Sequence, residues 1–216
     1  MAPLWITSAG VGSVAYSHGV RWDRLFDDLE DQLASEWEAE RAALDTEAER
    51  LRLSRVALRS RMEGLVGTTV SIEFVDGTVV TGAVGGVGAD WVAFDPQGSR
   101  PGAMIAPLTA ISCLGMPHAD VLRSARPPAS ARSPLADRMT LGYVLRDLVR
   151  RRVAVTIQLA HGRLLTGTVD RAGVDHLDIA LHERGSSRRA SEVTGHRLVA
   201  FAAVAWVRVD GRVDVL

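Results

Sequence analysis

The sequence predicts an α+β protein in which a long N-terminal α-helix precedes two small five-stranded β-barrels. Three observations lead to this fold class. Residues 21–63 contain neither glycine nor proline, and residues 65–116 break into short runs of β-branched residues separated by glycine and aspartate. The pattern of that second region returns further along the chain. The length of 216 residues is sufficient for two small domains.

Composition and charge exclude several classes of protein. Apolar residues make up 47% of the chain and charged residues 24%, which is typical of a globular protein. A single cysteine, Cys113, rules out a disulfide framework. The longest apolar run, residues 198–207, is half of the roughly 20 residues that a membrane-spanning helix needs. Residues 1–20 lack the basic start of a signal peptide. We therefore expect a cytoplasmic protein with no membrane contact.

Residues 1–20 are rich in glycine, serine and alanine, and their apolar residues have no clear period. We expect them to form a disordered tail. The patterned sequence begins abruptly at Arg21, which makes Val20 a candidate alternative start of translation.

Residues 21–63 are predicted to form one amphipathic helix. Apolar residues recur there mostly at steps of three, four or seven, from Trp22 to Met62, and so line one face. A helix of this length spans about 65 Å. One apolar stripe on so long a helix requires a partner surface. The sequence leaves open whether that surface is a second copy of the helix, another protein or the barrels of the same chain.

The first barrel is predicted over residues 64–116, with Asp76-Gly77 forming a tight hairpin turn. Its expected strands are residues 69–75, 78–87, 91–95, 103–106 and 110–114. Residues 117–134 are rich in proline and arginine and predict a linker. A short helical pattern over residues 135–149 then opens the second barrel, which extends to residue 216.

An internal repeat supports the two barrels. Residues 70–95 align with residues 155–180 at an offset of 85 without a gap, and residues 104–116 align with residues 197–209 at an offset of 93. Eight positions of the first block are identical: Val70/Val155, Ile72/Ile157, Gly77/Gly162, Thr81/Thr166, Gly82/Gly167, Val84/Val169, Gly88/Gly173 and Asp90/Asp175. Glycine inside a strand indicates a bend or a close backbone approach, which we expect at the matched pair Gly82 and Gly167.

These residues resemble the Sm-like (SH3-like) small-barrel fold, and in detail its Hfq-like bacterial members. The resemblance rests on Val70–Val84, Trp91-Val92, Met104-Ile105 and Ala110–Ser112, with a looser match in the second repeat. The whole chain is also similar to actinobacterial proteins in which an acidic helix precedes two such barrels. The resemblance implies RNA binding on a ring of barrels. It places a base-stacking aromatic residue at Trp91, where the second repeat has His176.

The distribution of charge supplies further candidate residues. Residues 21–49 hold eleven acidic and three basic side chains, whereas residues 117–152 hold eight arginines and three aspartates. Arginine pairs with phosphate and stacks on bases. The candidate nucleic-acid-binding residues are Trp91, His176, Arg150, Arg151, Arg152, Arg188 and Arg189. The alternatives are packing of Trp91 inside the protein and a solvated surface for the arginines.

No motif predicts catalysis, a metal site or a cofactor. The run Gly85–Gly88 lacks the Gly-Lys-Ser/Thr of a phosphate loop, and the six histidines are scattered. The predicted function is that of a non-catalytic nucleic-acid-binding, RNA-associated regulatory protein. The alternative is a protein scaffold that dimerises through residues 21–63. A DNA-binding regulator ranks lowest, because residues 135–152 are the only candidate recognition helix. The sequence leaves open whether the barrels pair within one chain or between chains.

Overall fold

A computed structural model describes residues 19–98, 102–126, 135–184, 189 and 191–209. The chain divides into two compact units, residues 1–55 and residues 56–216. The predicted tail lies outside the described residues, apart from its last two positions, which begin the first helix. None of the helices in these ranges is long and apolar enough to cross a membrane.

The predicted helix over residues 21–63 is two helices. Helix α1 spans Gly19–Leu53, and helix α2 spans Leu58–Glu63 in the second unit. Local contacts accompany the break. The Ser54 hydroxyl donates a hydrogen bond of 2.9 Å to the Leu51 main-chain oxygen, and Ala57 is extended with φ −72° and ψ 151°. Serine competes in this way with helical backbone bonding. The break allows α2 to bury Met62 in the second unit.

Ten strands follow, five in each repeat. The first repeat contains β1 (Thr69–Phe74), β2 (Val79–Val87), β3 (Trp91–Pro96), β4 (Met104–Pro107) and β5 (Ile111–Gly115). The second contains β6 (Ala154–Leu159), β7 (Leu164–Ala172), β8 (His176–Leu181), β9 (Gly195–Ala200) and β10 (Val204–Val209). Helices α3 (His118–Ser124) and α4 (Leu141–Arg151) lie between the repeats. Short 3-10 turns occupy Leu108–Ala110, Ala136–Arg138 and Phe201–Ala203.

The strands form one open antiparallel sheet in the order β5-β1-β2-β3-β4-β10-β6-β7-β8-β9. The predicted α+β class with a long N-terminal helix is therefore confirmed. The strand pairing differs from that of two separate barrels, because the repeats join edge to edge. Val207 of β10 stands opposite Ile105 of β4, and Arg208 stands opposite Met104. This joint leaves β5 and β9 at the two edges of the sheet.

Matched glycines shape the two repeats alike. Val70 stands opposite Gly82 on β1 and β2, and Val155 stands opposite Gly167 on β6 and β7. A Cβ on Gly82 would lie 2.4 Å from the Asp95 main-chain oxygen, and one on Gly167 would lie 2.0 Å from that of Ala180. The close backbone approach predicted at both glycines is confirmed.

Each repeat has its own apolar core, and each core is also contacted by side chains of the other repeat at the joint. In the first core the Phe74 and Phe94 rings stack with centroids 5.7 Å apart. The second core contains Leu145 of α4 together with the strands of its own repeat. It also includes Trp91 and Ile105 from the first repeat, both fully buried. The two repeats are therefore held together by shared apolar burial as well as by strand pairing.

The predicted linker over residues 117–134 contains a helix that the sequence did not indicate. Pro117, with its preset φ of −58°, precedes α3. The fully buried Ser124 packs on α2, where a Cβ on Gly64 would lie 3.2 Å from its Cα. Arg61 of α2 donates hydrogen bonds to the Ser124 hydroxyl at 3.0 Å and to the Val121 main-chain oxygen at 2.8 Å. Residues 127–134 lie outside the described residues.

Candidate nucleic-acid interface

A cleft of about 810 Å³ opens on the second repeat, between the C-terminal end of α4 and strands β7, β8 and β9. It is rich in arginine. Its charged or ionisable lining residues are Arg150, Arg152, Arg171, Arg197, His196, Asp170 and Asp178. Four guanidinium groups against two carboxylates leave an excess of positive charge, before any protonation of the histidine.

Arg152 takes its place in the cleft from the way α4 ends. Its backbone has φ 53° and ψ 39°, a left-handed conformation that closes the helix. Its N–H donates to the main-chain oxygens of Leu148 and Val149. Cations at this end of a helix are favoured by the partial negative charge of the last carbonyl groups. The terminus of α4 thus holds an exposed guanidinium group at the rim of the cleft.

Arg150 and Arg151 are both tied to α4 by Asp147. Arg150 Nη2 forms an ion pair with Asp147 Oδ1, and Arg151 Nε lies 2.7 Å from Asp147 Oδ2. Arg150 lines the cleft, whereas Arg151 does not. Part of the charge predicted for these two arginines is therefore neutralised within their own helix.

Arg171 and Arg197 come from strands β7 and β9. A register shift between Val169 and Arg171 sets Arg171 opposite Asp178 of β8. Arg197 Nη1 donates a hydrogen bond of 2.8 Å to the His196 main-chain oxygen. Within the described ranges, Arg152, Arg171 and Arg197 form no ion pair with a carboxylate. These three guanidinium groups are available to an anion.

Trp91 is fully buried in the shared core. Its indole Nε1 donates a hydrogen bond of 2.8 Å to the main-chain oxygen of Met139. The ring also covers Gly88, where a Cβ would lie 2.1 Å from Nε1. The structure thus agrees with the alternative interpretation, in which Trp91 packs inside the protein. A base could reach its ring only if the core opened.

His176, the counterpart of Trp91, is 43% exposed and lies outside the cleft. Its ring covers Gly173 as the Trp91 ring covers Gly88. His176 Nδ1 lies 2.8 Å from Asp175 Oδ1, and this hydrogen bond lowers the pKa of the Asp175 carboxyl below its ordinary value of 3.8. The ring is accessible to a base, but it does not line the arginine cleft.

The structure describes only one of the two predicted loop arginines. Arg188 lies outside the described residues, and Arg189 is exposed but does not line the cleft. Of the six predicted binding residues that the structure describes, Arg150 and Arg152 line it. Arg171, His196 and Arg197 were missed by the sequence analysis. The repeat alignment contained a signal for two of them, because the second repeat has an arginine where the first has an uncharged residue. Arg171 aligns with Gly86, and Arg197 aligns with Met104.

No family model matches the chain, and neither does any curated protein or solved structure. The parts of the chain that the structure describes contain no group of three or more histidine, cysteine, aspartate or glutamate side chains able to hold a metal ion.

Proposed function

We propose that the protein is a non-catalytic nucleic-acid-binding regulatory protein, associated with RNA, and that the arginine cleft binds the phosphate backbone of a single strand. The observation that carries the proposal is the set of exposed guanidinium groups of Arg152, Arg171 and Arg197, which form no ion pair with a described carboxylate. One guanidinium group can bind phosphate through two parallel hydrogen bonds to two of its oxygens. Contacts of this kind supply most of the affinity of non-specific nucleic-acid binding.

The volume of the cleft suits a short stretch of a single strand, and its acidic residues suit a base rather than a phosphate. Its volume of about 810 Å³ is that of a site for a ligand of a few ring systems. Asp178 lies on the lining as an acceptor. A carboxylate there can accept a hydrogen bond from the exocyclic amino group of a base, as acidic side chains do with cytosine.

We also propose that each repeat curves into a small barrel of the Sm-like kind. Three features support this. Each repeat has its own strand order of fifth, first, second, third and fourth. The register of the long second strand shifts at matched positions, after Val84 in β2 and after Val169 in β7. Bulges and close glycine contacts at such positions bend a strand so that it can serve two sheets.

The proposed cleft is tested with a fluorescently labelled single-stranded RNA of mixed sequence, whose anisotropy reports binding to the full chain. The variant is Arg152→Gly with Arg171→Thr. Glycine adopts the left-handed conformation of residue 152 without strain, and Arg171 is exposed. We expect at least about tenfold weaker binding at low salt. The plot of log K against log salt concentration should also become shallower by about 1.4, because each of the two lost phosphate contacts contributes roughly 0.7 to its slope.

The matched control is Arg189→Thr, an exposed arginine outside the cleft, which should bind RNA like the wild-type chain. Wild-type protein that does not bind the RNA at low salt contradicts the proposal. Equal loss of binding in the variant and the control means that the cleft is not the contact.

A second candidate function is that of a scaffold that dimerises through α1, and one observation favours it. Large apolar side chains recur along this 35-residue helix and are exposed, with Phe26 59%, Trp37 68% and Leu44 65% exposed. A helix with such a stripe is stabilised by burying it against a partner. Leu33→Glu with Leu44→Glu should then lower the mass of the full chain in solution. A mass equal to that of the wild-type chain would exclude dimerisation through this face.

A further inference from the structure

A row of three side chains crosses the arginine cleft. Asp178 of β8 stands directly opposite Arg171 of β7 on one side and Leu198 of β9 on the other. Residues paired in this way across antiparallel strands project from the same face of the sheet. The neighbours of Asp178 along β8 are Leu177 and Ile179, which are fully buried in the second core, so Asp178 faces away from that core. All three side chains of the row line the cleft.

The register shift in β7 decides which charge stands opposite Asp178. Before the shift, Val169 is opposite Ile179. In an unshifted ladder the next residue, Asp170, would be opposite Asp178, and like charges in such a position are destabilising. Because of the shift, Arg171 occupies that position instead. The row therefore sets a hydrogen-bond donor group beside an acceptor group.

The two charges of the row do not form an ion pair with each other. Among the described residues, neither Arg171 nor Asp178 has a hydrogen-bond or ion-pair partner for its side chain. Asp178 is half-buried, and a carboxylate that is partly removed from water without a partner costs free energy. A ligand that presents a donor next to an acceptor would satisfy both groups at once.

The charges of the row are not needed to build the strands. The matched row of the first repeat is uncharged, with Gly86 opposite Ala93 and Ala93 opposite Ile105. Strands β2, β3 and β4 nevertheless have the same pairing as β7, β8 and β9, and the same register shift. Arg171 and Asp178 therefore contribute charge to a strand arrangement that also forms without it.

We propose that this row reads a base of the bound strand, and that the base is cytosine. The inference rests on the proposed function and assigns base specificity to the same cleft. The Asp178 carboxylate accepts a hydrogen bond from the exocyclic amino group, which is the contact that acidic side chains make with cytosine. The Arg171 guanidinium group donates two parallel N–H groups to the ring nitrogen and the carbonyl oxygen of the same base edge.

Cytosine matches the row better than the other bases do. Its Watson–Crick edge has one amino donor followed by two acceptors, and the row has one acceptor group followed by a group with two parallel donors. Adenine has the amino group but only one acceptor beside it. Uracil has a carbonyl oxygen where cytosine has the amino group, so two acceptors would face each other at Asp178. Guanine has two donors and one acceptor, which leaves one N–H of Arg171 without a partner.

Two side chains of β9 offer surfaces for the ring of the base. Leu198, the third member of the row, is exposed, and so is His196, which lies two residues earlier and therefore on the same face of the strand. Both line the cleft. Unstacked RNA bases pack on rings such as that of histidine. Arg152, at the end of α4, remains available for the phosphate.

The binding of four labelled RNA decamers to the full chain tests the proposal, with fluorescence anisotropy as the readout. One decamer is uridine throughout, and in the others every second base is cytosine, adenine or guanine. All four have the same phosphates, so phosphate contacts contribute equally to each. We expect the cytosine RNA to bind at least about tenfold more tightly than the uridine RNA, and more tightly than the other two.

The variant is Asp178→Ala, which introduces the residue that the first repeat has at the matched position, Ala93. Loss of the acceptor should reduce the preference for cytosine over uridine to about twofold or less. The uridine RNA should bind at least as tightly as to the wild-type chain, because a negative charge has left the cleft. The control is Glu73→Ala, which removes an exposed carboxylate from β1, outside the cleft, and should keep the cytosine preference. Far-UV circular dichroism checks that both variants are folded.

The outcomes separate this inference from the proposed function. A wild-type chain that binds none of the four RNAs overturns both. A wild-type chain that binds all four equally is compatible with a cleft for phosphate and overturns the reading of cytosine. A preference for another base also overturns that reading, and so does a cytosine preference that folded Asp178→Ala leaves unchanged.

Discussion

The indole of Trp91 in the first repeat donates its hydrogen bond to the main-chain oxygen of Met139, in the segment that leads into α4 of the second repeat, at 2.8 Å. The Ala89 N–H donates to the same oxygen at 2.9 Å. The turn between β2 and β3 therefore holds the start of α4, and the fully buried ring of Trp91 adds apolar area to the same contact.

Replacing Trp91 tests this contact. We expect Trp91→Ala to lower the free energy of unfolding by about 3–5 kcal/mol, because it opens a cavity in the shared core. Trp91→Phe should cost less. The lost hydrogen bond contributes about 1 kcal/mol beyond any change in packing, because the Met139 oxygen still accepts a hydrogen bond from the Ala89 N–H. Urea unfolding followed by circular dichroism measures both. Trp37→Ala, on the exposed face of α1, is the control and should change little. A small effect of Trp91→Ala would contradict the assignment of Trp91 to the core.

Asp90 caps α4 from the other repeat. Its Oδ1 accepts a hydrogen bond of 2.7 Å from the Leu141 N–H, at a helix start where Thr140 provides no side-chain cap. We expect Asp90→Ala to cost about 1 kcal/mol of unfolding free energy and Asp90→Asn to keep most of the cap. Asp45→Ala, at an exposed position of α1, serves as the control in the same urea experiment. Equal stability of Asp90→Ala and the wild-type chain would mean that the cap contributes nothing.

The matched glycines should not tolerate a side chain. An alanine Cβ at Gly167 would lie 2.0 Å from the Ala180 oxygen, and one at Gly82 would lie 2.4 Å from the Asp95 oxygen. Because the clash is with backbone, we expect each alanine variant to lower the unfolding free energy by about 3 kcal/mol. The neighbouring Gly85→Ala, with no atom nearer than 3.7 Å, is the control and should be neutral. Thermal unfolding compares the three, and a tolerated Gly167→Ala would show that the strands can separate there.

The pairing of Asp175 with His176 makes a prediction about pH. The hydrogen bond from His176 lowers the pKa of the Asp175 carboxyl, so the ionised form is favoured in the folded protein. Its contribution to stability is therefore present above the ordinary value of 3.8 and is lost as the pH falls through the lowered pKa. Carboxyl chemical shifts measured by NMR should give Asp175 a midpoint below 3.8.

His176→Phe keeps a ring over Gly173 and removes the donor, so the Asp175 midpoint should rise toward 3.8. His161→Phe, at an exposed hairpin position, should leave that midpoint unchanged. If His176→Phe also leaves it unchanged, the hydrogen bond is not what lowers the pKa.

The sequence by itself determined the local elements and their repetition. Helical periodicity over α1, the alternation of the strands and the hairpin at Gly77, with its φ of +80°, are properties of neighbouring residues and could be predicted from them. The close approach at Gly82 and Gly167 could be predicted because only glycine lacks the Cβ that such a contact excludes. The arginines at the end of α4 were found because they are adjacent in the chain.

Only the tertiary structure decided what those elements meet. The packing of α3 on Gly64 depends on a contact between segments distant in sequence. The same holds for Trp91. Its aromatic ring suits a base or a core equally well, and only the structure shows that it is buried and bonded to Met139, ahead of α4. Arg171 and Arg197 join Arg152 only because strand register carries them to one cleft. Side-chain chemistry is local, but burial and pairing are set by the edge at which the two repeats meet.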